Sequence, residues 1–260
     1  MRVILFSAVA GVFGMGLGGF ISTLLLRRMS ENMICWMLSF AGGIMTSIVC
    51  FGLMPEAVAI SGVPVSISGL VFGILIIMGL NRIVDVITEA KNGSLKIHST
   101  YEELYHEGMI LKDPAKMIRS GVIMLLAIGL HNIPEGIAIG AGGSYDMHLG
   151  ILLMLMILLH NIPEGMAIAA PLLAGGIHKN KVVLWTALSG TPTLLGGVIG
   201  AMIGNISDSA VAISLSAAGG AMLYVVFGEI IPQSVVMTKN RIASLVTLFG
   251  VIVGLIITQI

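Results

Sequence analysis

Charge is scarce in this sequence: Lys, Arg, Asp and Glu make up 10% of its 260 residues, while 57% are hydrophobic. With a mean hydropathy of +1.04, the balance lies far outside that of a soluble globular domain, so water is not the main solvent. Cysteine is scarcer still. Cys35 and Cys50 fall within or beside one apolar segment, which argues against a disulfide framework or a thiolate metal site and leaves them as packing residues. Long polar tracts are also missing apart from 85–116, so no soluble domain remains to be assigned. A cleavage site is not evident near the start, because the small-residue run Gly11 to Gly19 continues into Ile21 to Leu26; a retained first helix is expected rather than a cleaved leader.

What the chain does have is apolar runs. A spanning helix needs roughly 20 predominantly apolar residues, and the sequence divides into spans at about 3–26, 33–55, 63–84, 117–142, 148–174, 182–204, 209–237 and 242–260. Turn and charge signals separate them, among them Arg27-Arg28-Met29-Ser30-Glu31, Ser61-Gly62, Gly142-Gly143-Ser144 and Lys239-Asn240-Arg241. The expected fold class is an all-α membrane protein, one transporter domain over 1–260 with eight transmembrane helices. Orientation follows from the basic residues. Arg27, Arg28, Arg82, Lys179, Lys181, Lys239, Arg241 and the lysines of the long connection all lie at ends joining spans 1 to 2, 3 to 4, 5 to 6 and 7 to 8. Only Arg2 lies on the other side, so the positive-inside tendency places both termini outside the cytoplasm.

Small residues recur at helical spacing, as in Gly14-x-x-x-Gly18 and Gly196-x-x-x-Gly200-x-x-x-Gly204. They let backbones approach closely in lipid; some of these smooth faces are also candidates for sliding during a conformational change. The long connection 85–116 is expected to be cytoplasmic and mobile. In it His98, Glu102 and His106 are four apart, so a short helix would align them as a weak metal pick-up site, although a solvated, structureless loop is the simpler explanation.

The chemistry is concentrated in an internal repeat. His131-Asn132-Ile133-Pro134-Glu135-Gly136 recurs 29 residues later as His160-Asn161-Ile162-Pro163-Glu164-Gly165. That separation is a helix plus a short turn, so spans 4 and 5 run antiparallel with both motifs at similar depth. Each copy puts its histidine and carboxylate at i and i+4 on one helix face. Ionisable groups at mid-bilayer persist mainly where they pair, face a cavity or bind an ion, and four of them in two helices mark a functional site. Two carboxylates and two imidazoles suit Zn2+ and borderline neighbours such as Fe2+, Mn2+, Co2+ or Cd2+ better than Mg2+ or Ca2+. Pro134 and Pro163 lack an N–H, which frees the carbonyls of Leu130 and Leu159 beside the histidines and is expected to kink both helices. Interrupted helices of this kind mark binding sites in transporters. Glu56 and Glu229 also lie beside prolines at apolar positions; Glu56 is read as an entrance group or an interfacial cap, and Glu229 as a path residue in the inner half of span 7.

These motifs resemble those of the ZIP (Zrt/Irt-like) metal transporters, in particular their gufA-like bacterial branch. The likeness extends to Gly42-Gly43-Ile44-Met45, Ala187-Leu188-Ser189-Gly190, and Gly220-Ala221-Met222-Leu223-Tyr224-Val225-Val226 leading to Glu229-Ile230-Ile231-Pro232. The resemblance implies uptake of zinc or a related divalent ion into the cytoplasm across the inner membrane. It further implies an inverted repeat relating spans 1–3 to 6–8, and an elevator-like motion of spans 1, 4, 5 and 6 against 2, 3, 7 and 8. By the same resemblance His131, Glu135, His160 and Glu164 form the primary metal site, and Asn132 and Asn161 contribute to a second one. Thr193 stands where many relatives carry a glutamate, and Gln233 where glutamate is frequent, so a stable two-metal centre is not expected. The partners are divalent metal ions as the transported substrate and the lipid bilayer; a homodimer is compatible with the sequence, and neither an organic cofactor nor nucleic acid is implied. Two other readings use the same residues: an intramembrane metalloenzyme, for which the His-Glu-x-x-His signature is missing, and a proton-coupled carrier in which the histidines relay protons.

Overall fold

The computed structural model describes residues 2–25, 31–92, 114–238 and 241–258, and among them there is helix and no strand. With no water in a bilayer core to satisfy backbone amides, helices that pair every N–H internally are what so apolar a chain can form. Helix α1 runs Arg2–Leu25 and contains a π turn at Val9–Phe13. Helix α2 (Glu31–Ser47) passes through a second π turn, Ile48–Leu53, into α3 (Met54–Asn92). Helices α4 (Pro114–Tyr145) and α5 (Met147–Ala174) follow, then α6 (Lys179–Gly204), which is broken at Gly190. Helix α7 (Asp208–Val225) continues through a third π turn, Val226–Ile230, to Thr238, and α8 spans Ile242–Thr258.

Among the described residues six helices are long and apolar enough to cross a membrane, and α8 is a shorter apolar one. The second of the six, Cys35–Leu80, is 46 residues long. At about 1.5 Å per residue it would reach well over twice the roughly 30 Å of a hydrocarbon core. It is not one regular helix: Gly62 has φ 76° and ψ 169°, a combination open only to glycine, so the helix is interrupted at the Ser61-Gly62 signal. Pro134 and Pro163 both lie inside helices that continue past them.

The packing is arranged in pairs. Helix α3 lies along α7, α4 along both α6 and α5, α2 along α8, and α1 along α5. Glycines make the closest of these approaches: Gly73 and Gly220 between α3 and α7, Gly136 and Gly196 between α4 and α6, Gly43 and Gly250 between α2 and α8, Gly18 and Gly165 between α1 and α5. At each of them a Cβ would run into the partner's backbone, so the small-residue stripes lie in tight contacts, as association by packing in lipid requires. Larger side chains fill the centre, with Leu38 and Ile44 of α2, Leu153 and Ile157 of α5, and Leu215 and Met222 of α7 in one buried cluster. Outward-facing apolar residues such as Leu24, Met202 and Leu245 stay more than 60% exposed, the surface a lipid solvent would cover.

Candidate metal centre

The repeated motifs face each other across α4 and α5. Asp146, the one residue between these helices, caps α5 by accepting from His148 N–H at 2.8 Å. A reversal this tight makes them antiparallel neighbours and brings the two hexapeptides level. His131, Asn132, Glu135, His160, Asn161 and Glu164 are all buried, none more than 4% exposed.

Glu135 from α4 meets His160 and Glu164 from α5, and one ligand atom from each lies within 4.8 Å of the other two. Tetrahedral zinc with N and O bonds of about 2.0–2.2 Å holds its ligand atoms about 3.3–3.6 Å apart, so closure on an ion calls for the three side chains to draw together. His160 is already aimed. Its Nδ1–H donates to the Met156 carbonyl at 3.2 Å, and because a carbonyl only accepts, this contact assigns the proton to Nδ1 and turns Nε2 inward. Nε2 lies 3.1 Å from Glu135 Oε1, a hydrogen-bond separation that holds one proton. Outer hydrogen bonds of the Nδ1–H type fix the orientation of metal-binding histidines.

Glu135 Oε2 and both oxygens of Glu164 have no hydrogen-bond partner among the described residues, although they are fully buried. Unpaired buried carboxylate oxygens are strongly unfavourable, and a divalent ion is a partner that could satisfy them. His131 is buried one turn before Glu135 but lies outside this three-residue group.

The asparagines act differently from the carboxylates. Asn132 Nδ2 donates to the Ser189 carbonyl of α6 at 2.9 Å, and Asn161 Nδ2 donates to the Ala10 carbonyl of α1 at 3.0 Å. Both Oδ1 atoms remain without a partner among the described residues. Thr193 is fully buried, with its hydroxyl likewise unpartnered and directed at the crossing of α1 and α6, where a Cβ on Gly11 would stand 2.5 Å from it. Glu56 is half-buried, in the helical run between the π turn Ile48–Leu53 and Gly62. Glu229 belongs to the π turn Val226–Ile230; its side chain, like that of Gln233 and the whole set His98, Glu102 and His106, lies outside the described residues. The carbonyls of Met156, Ala10 and Ser189 are the contributors that sequence reasoning missed. The π turn that brings Ala10 into play has no composition signature, and Ser189 sits beside the Gly190-Thr191-Pro192 break, which is visible but silent about its partner.

Comparison with known proteins gives a consistent result. A family model described as "ZIP Zinc transporter" matches residues 88–260. Proteins named "Zinc transporter ZupT" from Shigella flexneri serotype 5b and from Escherichia coli O127:H6 are 32% identical to this chain over 233 residues, covering 88% of this chain and 84% of the relative.

Proposed function

Because the chain belongs to the ZIP family of zinc transporters, we propose that it carries Zn2+ or a related divalent ion across the cell's inner membrane through the buried cluster between α4 and α5. The observation that carries this reading is the trio Glu135, His160 and Glu164, converging from two helices with three carboxylate oxygens unpartnered. In the proposed site His131 completes the set by rotating in from α4, and Zn2+ replaces the proton between His160 and Glu135. The Leu130 and Leu159 carbonyls, freed by Pro134 and Pro163 as the two helices kink there, offer further oxygens beside the ion. Asn132 and Asn161 present their free Oδ1 atoms to a second, weaker position, which Thr193 supports with a hydroxyl in place of a carboxylate.

Eight spans follow if Cys35–Leu80 crosses twice by turning at Gly62 and α8 crosses once. Both termini and the α2–α3 turn then face outward, while the basic connections face the cytoplasm. Uptake takes the ion from the Glu56 side toward the Glu229 side. Alternating access by an elevator-like motion moves α1, α4, α5 and α6 as one body. The glycine contacts support this division, since they tie α1 to α5 and α4 to α6 on one side, and α2 to α8 and α3 to α7 on the other. The metalloenzyme alternative is weaker, because both carboxylates of the cluster belong to the ligand set and the relatives are named transporters.

Thermal unfolding in detergent tests the site. Zn2+ at about 100 times its Kd adds about 2.7 kcal/mol to a protein that binds it only when folded, on the order of 5 °C or more in Tm for a chain of this size. Wild type is expected to show this shift and Glu164→Gln to lose it. An unshifted wild type with every borderline divalent ion would remove the metal site and favour the proton-relay reading.

A further inference from the structure

The two asparagines of the repeated motifs make the same unusual bond. In each case the acceptor is the carbonyl of the residue before a glycine, Ala10 before Gly11 on α1 and Ser189 before Gly190 on α6. Those glycines face each other, because a Cβ on either would strike the backbone of the other. The two bonds are therefore equivalent halves of one arrangement around the α1–α6 crossing.

Both carbonyls are bypassed by their own helices. Gly14 N–H, the ordinary α-helical partner of Ala10 O, is taken by the Val9 and Gly11 carbonyls because of the π turn Val9–Phe13. Thr193 N–H, the ordinary partner of Ser189 O, goes instead to the Gly190 carbonyl at 3.3 Å. Two different backbone irregularities thus free the same position on two helices, and a buried amide from the adjacent metal-bearing helix meets each one. A π turn placed where it exposes a carbonyl is a feature with a use, and a fully buried carbonyl without a partner would be unfavourable.

We infer that Asn132 and Asn161 are positioning residues, matched amide latches that hold α6 to α4 and α1 to α5 so that the metal-bearing helices and the helices flanking them move together. The inference rests on the transport reading above for its consequence, but not for its geometry. The property that matters is the N–H donor, since the Oδ1 atoms are not used by the latch.

The test uses the purified full chain with Cys35 and Cys50 replaced and spin labels on lipid-facing positions. One pair is Phe13 on α1 and Leu159 on α5; the other is Leu126 on α4 and Leu195 on α6, all of them exposed. In the wild-type background each pair should give one narrow distance with and without Zn2+. Asn161→Ala should broaden the α1–α5 distance alone, and Asn132→Ala the α4–α6 distance alone. Asn132→Asp, which keeps an oxygen and deletes the donor, should behave like Asn132→Ala. Maximal zinc flux in these variants should fall about tenfold, as for other groups that orient a metal site, with KM within about threefold and Zn2+ stabilisation retained. Variants whose distances stay narrow would overturn the latch. If the variants do not fold, a wild-type distance that changes on adding Zn2+ overturns it and an unchanged one supports it. A wild type that carries no zinc would count against the transport reading, while the distances would still decide the latch.

Discussion

At the residue scale the account turns on carboxylate oxygens without partners. Among the described residues Glu164 has two and Glu135 has one, and in the proposed site an ion would satisfy all three at once. Replacing Glu135 or His160 by alanine is expected to lower zinc flux by about 100-fold or more, since even outer-shell partners of metal sites are worth about 10- to 100-fold; flux per folded transporter in vesicles is the readout. The sequence already singled out His131, Glu135, His160 and Glu164, because a duplicated His-x-x-x-Glu on helical spacing has few uses in a membrane. It could not show that His160 is oriented by the Met156 carbonyl, nor that the asparagine amides reach Ala10 and Ser189, because those partners lie far away in sequence or on the backbone, which carries no side-chain signature. Thr193→Glu adds a carboxylate where the hydroxyl now stands unpartnered. It is expected to raise the number of zinc ions bound per chain, measured by equilibrium dialysis, and an unchanged stoichiometry would count against a second position there.

At the scale of elements, interruptions matter more than the helices. The all-helical, apolar character of the chain was legible because lipid demands about 20 apolar residues per crossing, with six helices of that kind among the described residues, and the interruption at Gly62 was legible from its serine and glycine. The π turns at Val9–Phe13, Ile48–Leu53 and Val226–Ile230 were not, since one extra residue in a helical turn depends on what packs against it. Gly62→Ala forces a Cβ into φ 76° and should destabilise the protein by about 1–3 kcal/mol, read as a lower Tm in detergent. Gly11→Ala should do at least as much for a different reason. Its Cβ would stand 2.5 Å from the Gly190 carbonyl and 2.6 Å from Thr193 Cβ, and overpacking of this kind costs about 1–3 kcal/mol. A Gly11→Ala protein as stable as wild type would show that the α1–α6 crossing is looser than described.

For the whole molecule, the proposed mechanism has two bodies meeting along an apolar seam, with the candidate metal cluster on one of them, a division in keeping with the glycine-tight pairs. The topology is open to a direct check in a background lacking Cys35 and Cys50. An impermeant maleimide should label Asp146→Cys in intact cells, whereas Lys179→Cys should react only after permeabilisation, because basic connections stay in the cytoplasm. The reverse pattern would invert the proposed direction of the path. The central claim is that a divalent ion passes through the site shared by α4 and α5. Its most direct test is Zn2+ entry into proteoliposomes holding the purified protein and a trapped zinc-sensitive dye, comparing wild type with His131→Ala, Glu135→Ala, His160→Ala and Glu164→Ala after each is shown to be folded. The account predicts saturable entry in wild type that collapses in the variants; entry that persists undiminished when Glu135, His160 and Glu164 are replaced would contradict it.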